Sequence, residues 1–418
     1  MSVVPVDATR TWAGVAGRAV HRSLVFATPM AAHRRSRRFD AVGVPTPSRS
    51  PAMGAHVALD ELVVGGFHAV NRPIPSEEID RIEREADAAL AHFTDAGWLA
   101  DPRSYHRDPS APAEVALGRK RVGRTRFETL RFDSGWEPQP GEPGRSRWVG
   151  QLANHRVRAL VLRHDDGPRP WVICIHGAEM GGRPLIDTRI LRAEHLHRDL
   201  GLNVALPVLP LHGPRRAHGV TGSPTLPAAS GFPGLDLVDD VHGLAQSAWD
   251  IRRLVAWIRT QDATGHANGN GNGNGIGNRI GITGFSLGGY VAALVAALEP
   301  TLDVVVAGCP AVDLPSLFRR SAPAALRHDP RFLALLQQAD QLLPVVSPLA
   351  LPAAVPADRS YIYAGLVDRL AHPVEQAAEL ARHWGDPHVL WFAGGHITHS
   401  FNGEVATFVD DALRMHLA

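Results

Sequence analysis

The sequence is poor in cysteine, lysine and long apolar runs, and each shortage removes a class of protein. Two cysteines in 418 residues, Cys174 and Cys309, cannot build a disulfide framework, and no metal-ligand spacing surrounds them. Both close apolar, strand-like runs, so they read as buried, reduced thiols. Lys120 is the single lysine, and arginine supplies almost all the positive charge. With 43 basic against 42 acidic residues the formal net charge is +1, and no basic cluster is interleaved with aromatics, so there is no nucleic-acid signature. No run approaches the ~18 apolar residues of a membrane span, which excludes stable membrane insertion by a helix. Near the N-terminus Arg18, His21 and Arg22 interrupt any apolar stretch that a secretory signal would need, and the expectation is a cytoplasmic protein.

What is present is a globular composition, 44% hydrophobic and 20% charged, in a chain long enough for one large α/β domain plus an extra segment. Residues 1–55 carry much Arg, Pro and Ser with little period and read as a poorly structured N-terminal segment. Residues 56–120 read as a small helical element, with one helix near 57–70 and a second over 76–96. In the second, Ser76 is a candidate N-cap, and Glu77, Glu78 and Asp80 suit the positive end of the dipole. Ile79, Ile82, Ala86, Ala89 and Phe93 recur there at helical spacing.

Residues 121–418 alternate strand and helix. Strands are expected at 125–132, 157–163, 171–175, 203–209, 279–283, 302–308, 359–364 and 388–392, and helices at 187–199, 236–260, 290–298 and 403–416. Such alternation predicts an α/β fold with a mostly parallel central sheet flanked by helices. Residues 312–355 break the alternation with leucines, phenylalanines and prolines and read as a helical lid insertion. The tract 268–278, alternating Asn and Gly almost throughout, reads as a loop expansion that has nothing apolar to bury.

The most informative stretch is Gly284-Phe285-Ser286-Leu287-Gly288-Gly289, which fits G-x-S-x-G between an apolar strand and a helix-like run. A strand, a tight turn and a helix with serine at the apex make a nucleophile elbow. A serine hydroxyl needs a base within hydrogen-bond reach, and the base needs an orienting acid. His396 directly follows Gly394-Gly395 after the last strand, and Asp368 lies just past the strand 359–364. His399 and Asp313 are the rival base and acid. Developing negative charge on a carbonyl oxygen needs preset N–H donors, for which Leu287 and Ala178 are the candidates, Ala178 in the loop His176-Gly177-Ala178-Glu179 after strand 171–175. Glu179, His212 and Arg215 stand in loops at the same sheet edge and are candidate pocket residues, where ligands of open α/β sheets bind.

Together His176-Gly177, Gly284-x-Ser286-x-Gly288, Gly365-x-x-Asp368 and Gly394-Gly-His396, in that order, resemble an α/β-hydrolase over roughly residues 120–418. Within the superfamily the chain is similar to esterase-like bacterial members, with dienelactone-hydrolase and prolyl-oligopeptidase flavour. Residues 1–120 hold no blade repeat of a propeller, which argues against a prolyl-oligopeptidase peptidase. The resemblance implies hydrolysis of a small-molecule carboxylic ester or related acyl bond through an acyl-enzyme on Ser286, without metal or cofactor. An acyltransferase with the same triad and a non-catalytic binding protein on the same fold stay open as alternatives, and oligomeric state is not indicated.

Overall fold

The computed structural model describes residues 8–70, 75–216, 232–265, 279–322 and 326–418. A single nine-stranded sheet organises the chain. Its strands are β1 (Ala116–Val122), β2 (Thr125–Asp133), β3 (Arg156–Leu162), β4 (Trp171–Ile175), β5 (Asn203–Pro207), β6 (Ile280–Phe285), β7 (Val304–Gly308), β8 (Ser360–Gly365) and β9 (His388–Phe392). They lie in the order β1-β2-β3-β5-β4-β6-β7-β8-β9. The three pairings from β1 to β5 are antiparallel and the five from β5 to β9 are parallel.

The inner parallel strands are buried on both sides because both faces are covered. Along β4, Trp171, Ile173 and Ile175 join one core while Val172 and Cys174 join the other. In β7 and β8 the same alternation sends Val305, Ala307, Ile362 and Ala364 to the first core and Val304, Val306, Tyr361 and Tyr363 to the second. The first core is closed by helices Leu237–Gly265 and Leu287–Leu298, the latter buried at every position. The second is closed by helices Ala193–Arg198 and Gly403–Leu417. Both cysteines are buried and free. Among the described residues no helix is long and apolar enough to cross a membrane.

Several elements depart from the sequence reading. Strand β1 is absent from that reading: six of its seven residues are exposed, so it pairs with β2 as an edge strand without the apolar alternation that betrays a half-buried one. The helix expected over 187–199 is two, Pro184–Ile190 and Ala193–Arg198, parted where Arg192 takes a left-handed φ of 52°. Ser76 is the first helical residue of Ser76–Asp95, not its cap; Pro75 stands in the capping position and no side chain caps there. The tract 268–278 lies outside the described residues.

The N-terminal segment differs most. Within residues 1–55, read as poorly structured, helices span Ala8–Ala27 and Pro29–Asp40, and the helix expected near 57–70 is present but begins earlier, spanning Pro51–Val70. Their few buried apolar residues suffice because they dock on a finished surface. Phe26, Met53 and Val57 pack with Val367, and Phe39 and Val44 pack with Val374 and Ala378. This places them on the loop that follows β8. Helix Ser76–Asp95 goes elsewhere: Ile82, Ala86, Ala89 and Phe93 enter the first core. Its outer face is tied to helix Pro330–Leu342 of the insertion through Arg331 to Glu83 (2.8 Å) and Gln338 to Asp87 (2.6 Å). The insertion is helical, as read, over Leu314–Ser321 and Pro330–Leu342. Its later part, from Leu342 to Val346, is core, and the Tyr290 hydroxyl donates to the Val346 carbonyl at 2.9 Å.

Candidate active site

Ser286 stands between the end of β6 and the start of helix Leu287–Leu298 with φ 59° and ψ −118°. A non-glycine residue held there is strained by about 1–3 kcal/mol and persists only where its surroundings over-determine it. The surroundings here are backbone. The Ser286 N–H donates to Gly308 O of β7 (2.9 Å), and its carbonyl accepts from Tyr290 N (3.0 Å) and Ala311 N (3.3 Å). The turn also needs its glycines: a Cβ on Gly284 would collide with the Gly288 carbonyl, and one on Gly288 with the Ile175 carbonyl of β4. The helix therefore starts in direct contact with the two central strands, and the Ser286 side chain is half-buried rather than sealed in.

The loops after β8 and β9 meet beside it. His396 Nδ1 and Asp368 Oδ2 are 2.6 Å apart, with both side chains essentially without solvent exposure. The other Asp368 oxygen accepts from Leu370 N (2.9 Å) and Ala371 N (2.7 Å), so the carboxylate is fixed before it meets the ring. Burial alone pulls the His396 imidazole down, but the Asp368 charge and hydrogen bond, helped by Asp60, carry it above the ordinary histidine value. The His396 ring lies 4.8 Å from the ring of Phe285, the residue before Ser286. Among the described residues no hydrogen bond joins the Ser286 hydroxyl to His396.

The two rivals have other partners. Asp313 caps helix Leu314–Ser321 by accepting from Ser316 N (3.0 Å). His399 Nδ1 contacts the His396 carbonyl (2.9 Å), its Nε2 contacts Ser400 Oγ (3.0 Å), and its ring stacks on Phe285 at 3.8 Å. Burial pushes its pKa down to about 3.

Leu287 opens its helix, so its N–H is one of the four that have no intrahelical acceptor. Ala178 follows Gly177 off β4, and His176 sets that loop. The buried His176 Nε2 accepts from Leu209 N (3.1 Å), which leaves the proton on Nδ1 to donate to Gly177 O (2.8 Å). Burial, with His212 nearby, holds His176 neutral at a pKa of about 3. Glu179, at φ 61°, forms an ion pair with Arg216 (3.1 Å).

His212 and Arg215 are not pocket residues as the sequence suggests. Both are fully buried behind the loop after β5. Arg215 donates to Asp250 (2.7 Å) and to the carbonyls of Val208 and Asn154 (2.8 Å each). His212 Nδ1 contacts Pro210 O at 2.8 Å. A guanidinium satisfies carbonyls and a carboxylate at once, so it straps the loop to helix Leu237–Gly265 from within. Truncating one member of a buried pair strands the other charge. Arg215→Ala is therefore expected to lower the unfolding free energy by about 3–5 kcal/mol in a denaturant titration, where a solvated arginine would change little.

Two residues beside the His396–Asp368 pair are not singled out as site residues by the sequence. Asp60, on helix Pro51–Val70, is fully buried against the His396 loop; its one trace in sequence is a carboxylate on the same stripe as Met53 and Val57. Cys309, after β7, is buried, and its Sγ lies within 4.8 Å of ligand atoms of Asp368 and His396. Burial raises that thiol well above its ordinary pKa, and the facing atoms of the other two are already joined.

A helix-flanked sheet of this strand order, antiparallel at one end and parallel through β6 and the Ser286 turn, is the α/β-hydrolase architecture, and the chain has that fold. Within it, the chain belongs to the family of two Mycobacterium tuberculosis proteins, the uncharacterized proteins MT2702 of strain CDC 1551 and Rv2627c of strain H37Rv. It is 42% identical to each over 364 residues, spanning 87% of this chain and 82% of theirs. No protein-family model matches the chain. Among solved structures, acetyl xylan esterase 1 from Thermoanaerobacterium sp. aligns with 76% of this chain and 93% of its own at 16% identity and a TM-score of 0.48. The acetyl xylan esterase from Paenibacillus sp. R4 aligns with 75% and 99% at 16% identity and a TM-score of 0.44.

Proposed function

We propose that the protein is a serine hydrolase of small-molecule carboxylic esters or related acyl bonds, with Ser286 as nucleophile, His396 as base and Asp368 as orienting acid. The observation that carries this reading is the buried 2.6 Å contact of His396 Nδ1 with Asp368 at the sheet edge where Ser286 is held strained. It fixes the tautomer: Nδ1 keeps a proton for Asp368, and Nε2 is left to accept one. The Ser286–His396 hydrogen bond forms as substrate seats, since such contacts are commonly open in the unliganded state. His396 Nε2 takes the hydroxyl proton as Ser286 Oγ bonds to the carbonyl carbon. The oxyanion is held by the N–H groups of Leu287 and Ala178. When the tetrahedral intermediate collapses, His396 returns the proton to the departing alkoxide. Water, deprotonated by the same ring, then releases the acid.

The test is a fluorophosphonate probe together with a p-nitrophenyl ester panel of graded acyl length. Labelling at Ser286 with turnover of at least one ester is the expected result. Absence of both from a folded protein refutes the reading. Product analysis with an added alcohol separates hydrolysis from acyl transfer.

A further inference from the structure

One carboxylate from the N-terminal helices is bonded into both catalytic loops. Asp60 Oδ2 accepts from the backbone N–H of His396 (2.8 Å) and of Arg369 (3.0 Å), the residue after Asp368. Its Oδ1 faces Ile397 N at 3.2 Å. Three amides from two loops, separated from Asp60 by more than 300 residues of chain, thus converge on one side chain with no solvent exposure. The approach depends on Gly395, where a Cβ would fall 2.6 Å from the carboxylate. Next to it Glu61 accepts from the Arg369 guanidinium at 2.8 Å, so the same helix turn holds that residue by backbone and side chain.

A buried carboxylate is an expensive way to fasten a helix. A hydrophobic contact of equal size would dock it without the desolvation penalty. What a carboxylate adds is direction: it sets the position of His396 N and Arg369 N together, and hence the separation of the residues that form the base and acid. We propose that Asp60 is a positioning residue of the active site, and that docking of helix Pro51–Val70 makes the His396–Asp368 pair competent. This rests on the serine-hydrolase reading above for its catalytic consequence, though not for the clamp itself.

The charged groups around Asp60 are Asp368 and His396 from the two loops, Glu61 on its own helix, Arg369 from the acid loop and Arg22 from helix Ala8–Ala27, the last 3.9 Å from Glu61. Burial and the Asp368 charge push Asp60 up to about 6 against the pull of His396 and the amides. Above that pH the carboxylate is negative and adds to the charge that raises His396.

The test compares Asp60→Asn and Asp60→Ala in the full chain. Asparagine keeps the shape but loses the charge and turns an NH2 toward a donor; alanine removes the clamp. Asp60→Ala is expected to lower kcat about 100-fold, the effect of a displacement near 1 Å in a catalytic group, with KM nearly unchanged. Asp60→Asn is expected to move the acidic limb of the kcat/KM profile to lower pH, which loss of a merely structural contact would not do. Hydrogen exchange of the amides of Arg369, His396 and Ile397 reads the clamp without reference to activity. Faster exchange at these amides in folded Asp60→Ala supports the clamp even if no ester is turned over. Unchanged exchange there, or a wild-type acidic limb and kcat in Asp60→Asn, overturns the proposal. Failure of the probe to label the wild type overturns the serine-hydrolase reading instead.

Discussion

Ser286→Ala is expected, on the proposed serine-hydrolase mechanism, to lower kcat by about 10⁶ while leaving the protein folded, because removing the nucleophile of a triad costs nearly as much as removing all three members. Substrate affinity should change little, and fluorophosphonate labelling should vanish. The informative companion is Ser286→Gly. Alanine keeps the Cβ and therefore the strain at φ 59°. Glycine releases that strain, which is worth about 1–3 kcal/mol. Against it stands the greater freedom of an unfolded glycine, about 0.5–1 kcal/mol. The first term is larger, so Ser286→Gly should unfold at the same or a higher denaturant concentration than Ser286→Ala. If glycine is instead the less stable variant, the backbone at 286 is not a store of strain, and the elbow loses its physical signature. Proteins rarely gain stability from glycine, which makes the sign of this difference hard to obtain by accident.

Much of this arrangement can be read in the sequence, and the parts that cannot have a common cause. Strands β4 and β9 fall on their apolar runs, and the strained turn at Ser286 follows from glycines whose spacing is forced by backbone contact rather than by a side chain. The candidate acid and base emerge from chain order after successive strands, and the structure brings His396 and Asp368 into contact. What stays illegible is whatever owes its structure to a surface made elsewhere. Strand β1, Ala-Leu-Gly-Arg-Lys-Arg-Val, buries almost nothing and is a strand only because β2 offers an unpaired edge. Helix Pro29–Asp40 is dominated by arginines, and its buried anchor, Phe39, sits against a loop more than 300 residues away. Asp60 is the extreme instance. Its partners are backbone amides, which carry no residue identity, so no motif could point to it. Arg215 misleads in the opposite sense: a basic residue in a loop at the ligand-binding edge of the sheet reads as a pocket residue, and only the coincidence of two carbonyls and Asp250 makes its burial tolerable.

Asp368→Asn and Asp313→Asn, measured side by side, should separate by orders of magnitude. The amide in Asp368→Asn would present an NH2 to Nδ1 or force the ring into the other tautomer, in which Nε2 holds the proton it should accept. A loss of about 10⁴ in kcat follows with little change in fold. Asp313 only caps the short helix Leu314–Ser321. Asparagine caps nearly as well as aspartate, so that variant should keep its activity and lose at most about 1 kcal/mol of stability. The pH profile gives the same contrast a sign. A base must be neutral to accept a proton, so kcat/KM rises with pH through the His396 pKa. In the wild type that limb should lie above 6.5, because the Asp368 charge and hydrogen bond overcome the burial that lowers it. In Asp368→Asn burial is opposed only by the smaller Asp60 charge, so the residual activity should rise with its midpoint at lower pH than in the wild type. A limb that stays in place, or a collapse of activity in Asp313→Asn, would move the acid from the β8 loop to the β7 loop. His396 would then have to leave its buried partner to reach a carboxylate whose present role is to hold Ser316 N.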